Sequence, residues 1–265
     1  MAIYEHEVLI PLEPNKKIWR YLDLEKFKSL LEKKSLFFCR ANKFSDPFEG
    51  SIPKKQFDFR IEWEKWFAQR HGKEFDEAHA LSNIAGLQNL HKEFKNNTII
   101  NCWHINENES DAMWRLYLKD NEGVAIQSTT ERIYNAINET KEKISLSKVR
   151  YIDYENDGWY HPIEYPHRGY NFYIPLIHKR KEFIHENEFR LFIEQPEARK
   201  DKEFWDKQES HKGRLIPINL DTLIDKIYLP PTIDEKSATL IKKLTIDSGY
   251  GFEFAQSKLS SEPIY

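Results

Sequence analysis

Two hydrophobic periods alternate along this chain without a regular beat, and that irregularity narrows the fold more than any single motif. Residues 18–22 read as a strand. Asp23 suits the cap of a helix over 24–34, where Leu24, Phe27, Leu30 and Leu31 follow helical spacing. Residues 35–40 are again strand-like, and the Pro- and Gly-marked stretch 44–50 closes them as a loop. Residues 56–95 are charged and aromatic at helical spacing, with Phe59, Trp63, Trp66 and Phe67 as the apolar stripe, and predict two helices. A strand over 98–105 and a short helix carrying Met113, Trp114, Leu116 and Tyr117 follow. Next come a strand over 124–128, a helix from 130 to about 143, a strand near 149–152, a helix over 173–181 and a strand containing Glu186 and Glu188. The tail predicts strand 225–229, helix 237–246 and strand 252–256. A doubly wound sheet would repeat its unit about every 30 residues. The expectation is therefore an α+β domain with a mixed or antiparallel sheet flanked by helices, one domain over 1–265 with a helical insertion at about 56–96.

Composition supports one core. Apolar residues make up 40% and aromatics 14%, with no Pro/Gly/Ser-rich linker to divide the chain. No run approaches the roughly 18 apolar residues that span a bilayer. The N-terminus lacks a basic segment leading into a cleavage site, so the expectation is a cytoplasmic protein with no membrane partner. Cys39 and Cys102 read as reduced, buried thiols. Cys102 and His104 could both bind zinc, but no second ligand pair stands at suitable spacing, and no metal is expected. A net charge of −3 gives no long-range field toward nucleic acid or anionic lipid.

The polar residues with most chemical content lie near Glu186-Asn187-Glu188-Phe189-Arg190-Leu191. Side chains of a strand alternate, so Glu186, Glu188 and Arg190 are expected on one face, with Asn187, Phe189 and Leu191 on the other. An ion-paired strand surface is the ordinary explanation of such a pattern. Yet Asp46, Glu49, Ser110, Asp111, Glu186, Glu188 and Arg190 all sit beside aromatics, which points to a buried network or a site. In the loop, Asp46 can hold the turn backbone, Pro47 sets φ and Gly50 allows positive φ. Trp103, Met113, Trp114 and Tyr117 read as core. His104, His161, His167, His178 and His185 form no hydrolytic or zinc signature and read as surface or core histidines. Gly-rich phosphate loops are also missing.

FSDPFEG at 44–50, SDAMWRLY at 110–117 followed by EGVAI, and the lysine-rich segment ending in ENEFRL together resemble domain-of-unknown-function family 2971. That uncharacterised bacterial family shows an FNDPFE loop, an MW-x-x-Y helix before a GV strand, and an E-x-E-x-R strand. The resemblance runs from about residue 19 to 257, with Ser45 where Asn is usual. It implies positions and no activity, and by analogy a place in stress or phage defence. A second likeness is of order. Enzymes of the ADP-ribosyltransferase fold present a basic residue on an early strand, a Ser-Thr-Ser-like strand and a later Glu-x-Glu; this chain has Arg20, Ser128-Thr129-Thr130 and Glu186-x-Glu188. The likeness implies a nucleotide-dependent transferase using NAD and a protein or nucleic-acid acceptor. Glu186, Glu188 and Arg190 would be catalytic, and Arg20, Tyr21, Asp46, Glu49, Ser110, Trp114, Tyr117 and Ser128 would hold the nucleotide. One alternative is a metal-dependent nuclease-like effector using Asp46, Glu49, Asp111, Glu186 and Glu188 with Lys179 or Lys181, although the usual Glu-x-Lys is absent. The other is a non-enzymatic module that binds a nucleotide or a protein.

Overall fold

The computed structural model describes residues 3–4, 7–118, 122–160, 171–261 and 263–264. His161 and His167 lie outside the described residues. After the short β1 (Ile3–Tyr4), the strand expected around Arg20 forms as β2 (Lys17–Asp23). The Asp23 carboxylate accepts from the Lys26 N–H and starts α1 (Leu24–Lys33), whose Phe27, Leu30 and Leu31 are buried. Lys34 in the left-handed region turns the chain into β3 (Ser35–Arg40). The aromatic segment forms α2 (Lys54–Arg70) and α3 (Glu77–Asn96), a hairpin between β3 and β4 (Thr98–Ile105). Ser110 caps α4 (Asp111–Tyr117), and β5 (Gly123–Thr129) leads directly into α5 (Thr130–Asn138), capped by Thr129. β6 (Ile144–Lys148), β7 (Arg150–Ile152), β8 (His178–Arg180) and β9 (Glu188–Glu194) follow. The chain ends through α6 (Glu197–Lys200), β10 (Gly213–Pro217), α7 (Leu220–Leu223), β11 (Lys226–Leu229), α8 (Glu235–Asp247) and β12 (Phe254–Gln256).

Among the described residues ten strands form one mixed sheet, and β7 and β8 form a separate parallel pair. This is the α+β domain expected, with parallel pairing confined to β1 on β6 and β12 on β11 in the large sheet. Its decisive feature is a fork at β4. One edge of β4 pairs with β9 from Thr98 to His104. The other edge is divided, since β3 pairs only at Ile99 and Ile100, and β2 only at His104 and Ile105. Between them, residues 101–103 face a gap. Side chains take over where backbone partners diverge: Arg20 Nη1 donates to the Cys102 carbonyl at 2.7 Å, and Asn101 Nδ2 to the Phe37 carbonyl at 2.9 Å. β5 and β11 extend the β2 branch, and β10 extends the β3 branch.

The two sheet faces are read from alternation. Ile99 and Trp103 of β4, Val124 and Ile126 of β5, and Phe189, Leu191 and Ile193 of β9 enter the largest core with α1, α5, α7 and α8. Ile100 and Phe192 point the other way, into a second core with Phe94, Leu176 and Ile177, while Trp19, Tyr21, Met113 and Trp114 form a third under α4.

Four expectations change. Residues 173–181 are not a helix but a 3-10 turn, Ile174–Ile177, running into β8; Pro175 lies in that turn, and Lys179 is buried on the strand. The helix from residue 130 stops at Asn138 and not near 143, and β6 occupies residues to which no element had been assigned. β10, α6 and α7 were not foreseen, being too short for either period to show. Finally, Glu186 is not on a strand. It ends a 3-10 helix, Lys181–Glu186, and Asn187 at φ +37° breaks the alternation before β9 begins.

Asn101 bridges the fork, because its Oδ1 also accepts from Trp103 Nε1 at 2.8 Å. Asn101→Ala is expected to cost about 1–3 kcal/mol, the usual cost of a buried donor left without its acceptor. Denaturant unfolding checks this, and an unchanged midpoint would show that the fork holds without the clip.

Candidate functional site: a buried ion network beside a cavity

β9 sends Glu188 and Arg190 to the face opposite the largest core, and both are buried. Arg190 is 1% exposed, so its charge must be met inside the protein. Its Nε donates to Glu188 Oε2 at 2.6 Å, Nη1 to the Leu176 carbonyl at 2.7 Å and Nη2 to Glu49 Oε1 at 3.0 Å. Lys179 from β8 completes the network, lying 2.7 Å from Glu186 Oε2, 2.7 Å from Glu188 Oε1 and 3.2 Å from Glu49 Oε1. The Tyr151 hydroxyl accepts from the Glu188 N–H at 2.9 Å. Glu186 and Glu188 thus converge for a reason other than strand alternation. The αL turn at Asn187 swings Glu186 toward Lys179.

Three carboxylates here meet two cations. Lys95, the next cation, donates to the Glu49 carbonyl and not to its carboxylate. The surplus falls on Glu186. Its burial, a hydrogen bond to Glu188 and the Glu188 charge push its pKa up to about 8. Burial would raise Glu188 too, but the Arg190 charge, the hydrogen bond from Glu186 and Lys179 outweigh it and hold Glu188 well below the usual carboxylate range. Burial alone would favour loss of the Lys179 proton; Glu188 and Glu49 reverse that and raise its pKa.

A cavity of about 840 Å³ opens at the fork and reaches this network, with Arg20, Cys102, His104, Tyr117, Glu186 and Glu188 in its wall. Arg20 spends Nη1 on the Cys102 carbonyl and lies 6.0 Å from the Trp103 ring centroid. Burial lowers its pKa, opposed by Cys102 and Tyr117. Among the described residues no carboxylate pairs with it. His104 Nδ1 sits 2.7 Å from the Glu186 carbonyl, a group that only accepts, so Nδ1 carries the proton and Nε2 the lone pair. Burial lowers the His104 pKa.

Other expected site residues are spent on architecture. Asp46 accepts from the Phe48 N–H at 3.1 Å and grips Arg180 at 3.1 and 2.9 Å, which is the turn reading of FSDPFEG. Tyr21 lines the cavity, but its hydroxyl accepts from the Ser110 N–H at 2.8 Å and its ring abuts Trp114. Ser110 caps α4, and Trp114 Nε1 donates to Glu109. Ser128 is not brought to the site: it points into the largest core, where its hydroxyl donates to the Leu223 carbonyl at 2.5 Å. Asp111, expected in the nuclease alternative, pairs with Arg115 on the surface. Among the described residues no three His, Cys, Asp or Glu are arranged to hold a metal ion. No described helix is long and apolar enough to cross a membrane. Sequence reasoning named Lys179 only as an alternative to Lys181 and His104 only as a possible zinc ligand or a surface or core histidine, and missed that Lys179 centres the network and that His104 lines the cavity. Neither leaves a local signal, since Lys179 reaches partners from three separate segments.

The raised Glu186 pKa sets a sign for stability. Glu186 contributes fully below the ordinary carboxylate range, and that contribution is lost as pH rises through about 8. Glu186→Gln mimics the protonated form, so the wild type is expected to lose thermal midpoint relative to the variant between pH 5 and pH 9. Parallel curves over that range would place the surplus charge elsewhere.

No curated protein and no solved structure matches the chain. A family model described as Protein of unknown function (DUF2971) matches residues 113–191, so the Arg20 strand and the FSDPFEG loop lie outside the matched stretch. That stretch runs from α4, which carries Tyr117, to β9, which carries Glu188 and Arg190, and over it the chain is similar to the DUF2971 family.

Proposed function

We propose that the protein is a nucleotide-dependent transferase of the ADP-ribosyltransferase-like class, with NAD as its nucleotide. One observation carries this reading: Arg20 and the Glu186–Glu188 pair, far apart in sequence, line one cavity, and Arg20 has no carboxylate partner among the described residues. A half-buried guanidinium with most of its N–H groups uncommitted is suited to a phosphate. About 840 Å³ falls in the range of nucleotide-sized sites. Tyr117 lies between the two ends and is close enough to Glu186 and Glu188 to feel their charge.

The network divides the labour of the two carboxylates. Glu188 has both oxygens committed, to Lys179 and Arg190, and positions the site. Glu186 carries the surplus charge and is the group that meets a ligand. As nicotinamide leaves the ribose, the C–N bond breaks with its electrons and the sugar carbon becomes cationic. Glu186 stabilises that charge and orients the acceptor nucleophile. Ser128 contributes nothing to this scheme, and the likeness to the transferase order rests on Arg20 and the glutamates alone. The nuclease reading has less support, because Lys179 and Arg190 already occupy the positions around Glu49, Glu186 and Glu188 that a divalent ion would need.

Calorimetry with NAD⁺ in the presence of a chelator tests the proposal. Binding is expected without metal, and Arg20→Met should weaken it about 10- to 100-fold, the worth of a charge-assisted hydrogen bond. Glu186→Gln should lower NAD⁺ cleavage about 10²-fold with binding largely kept. Failure of the wild-type protein to bind NAD⁺ overturns the reading.

A further inference from the structure

The cavity is chemically lopsided. At one end Arg20 offers donors and positive charge without an anion. At the other end the wall is rich in acceptors. Glu186 belongs to a network of three carboxylates and two cations, and the neighbouring His104, 5% exposed, has a ring nitrogen, Nε2, with no hydrogen-bond partner. Its Nδ1–H is held by the Glu186 carbonyl, so Nε2 can only accept while the ring is neutral. A surplus buried carboxylate, neutral only while it keeps its proton, and an orphaned buried acceptor at the same wall call for the same remedy, a cation that donates hydrogen bonds.

We infer that the cavity takes a bipolar ligand, with an anionic group at Arg20 and a hydrogen-bond-donating cationic group at Glu186 and His104, and that the cation displaces the proton the network otherwise holds. The inference rests on reading this cavity as the nucleotide site, and it adds the charge pattern of the ligand and a proton count. In the free protein the surplus carboxylate is neutralised by a proton on Glu186. When the ligand's positive charge arrives, Glu186 ionises against it and the proton leaves to solvent. Charge is conserved: one positive charge replaces another. The titratable groups facing Glu186 are Lys179 from β8, Glu188 from β9, Glu49 from the loop after β3, His104 from β4 and Tyr117 from α4, while the exposed His185 on its own turn acts on His104. Arg190 and Tyr151 act on it through Glu188. Lys179 and Arg190 are held charged and Glu188 ionised, and burial keeps His104 neutral, which leaves Glu186 to exchange the proton.

Calorimetry at pH 7 in two buffers of different ionisation enthalpy counts the protons. The probes are NAD⁺, ADP-ribose, which lacks the cationic ring, and benzamidine, a small aromatic amidinium that carries the cation alone. NAD⁺ and benzamidine are each expected to release close to one proton, and ADP-ribose none. Comparing NAD⁺ with ADP-ribose on the wild-type protein needs no variant. Glu186→Gln should abolish the release, with circular dichroism confirming the fold. Arg20→Met should lose at least tenfold in ADP-ribose affinity and keep the release with benzamidine. Benzamidine binding without proton release, no benzamidine binding, or release that survives Glu186→Gln overturns the inference. If NAD⁺ does not bind while benzamidine releases a proton that Glu186→Gln abolishes, the bipolar site stands and the transferase reading falls.

Discussion

The charge of Arg190 has to be met where no water reaches it, and much of this molecule is arranged around that requirement. A buried guanidinium is expensive unless it is paired and its hydrogen-bonding edges are filled. Glu188 on the same strand supplies one partner. The rest come from distant segments: Glu49 from the loop after β3, and the Leu176 carbonyl from the 3-10 turn before β8. Those two segments are thereby drawn onto the sheet face opposite the main core, where Phe44 also lies 5.5 Å from the guanidinium. Lys179 follows from β8 and closes the network. Such an assembly is weak evidence for net stability, but it fixes which segments share a face.

The fork at β4 places this network beside a cavity. An unbroken sheet would have covered residues 101–103 with a strand; instead β2 and β3 diverge around α1, and side chains of Arg20 and Asn101 satisfy the exposed backbone carbonyls. Arg20 therefore has two tasks. It repairs the fork through one nitrogen and presents the remainder of its guanidinium to the cavity. The network's surplus carboxylate stands at the far wall. A site with separated positive and negative ends is a consequence of how the sheet divides, with the ends supplied by side chains that the sheet had to bury or use for repair.

Many polar residues beside aromatics proved to be architectural. Asp46 holds a turn and Arg180, Ser110 caps a helix and donates its N–H to Tyr21, and Glu109 ties Trp114 to Ser257 and the Lys258 N–H. Each belongs to a saturated hydrogen-bond set, which is how a buried polar group is usually tolerated. What separates Arg20, His104 and Glu186 from them is incompleteness: an unpaired charge, an orphaned acceptor and a surplus carboxylate at one cavity.

The sequence by itself determined the α+β class, the long helices and strands, and the cap at Asp23, because hydrophobic period and N-cap chemistry are local. It also determined that Glu188 and Arg190 share a face, since both lie within one strand. Glu186 joins them on different grounds. Its place depends on the αL backbone of Asn187 and on Lys179, and period 2 reached the right neighbour by the wrong route. Only the tertiary structure decided that Arg20 meets the same cavity, that Ser128 faces away from it, and that β4 divides the sheet. Those facts turn on which strands pair, and strand pairing is a contest among segments scores of residues apart that no local pattern records.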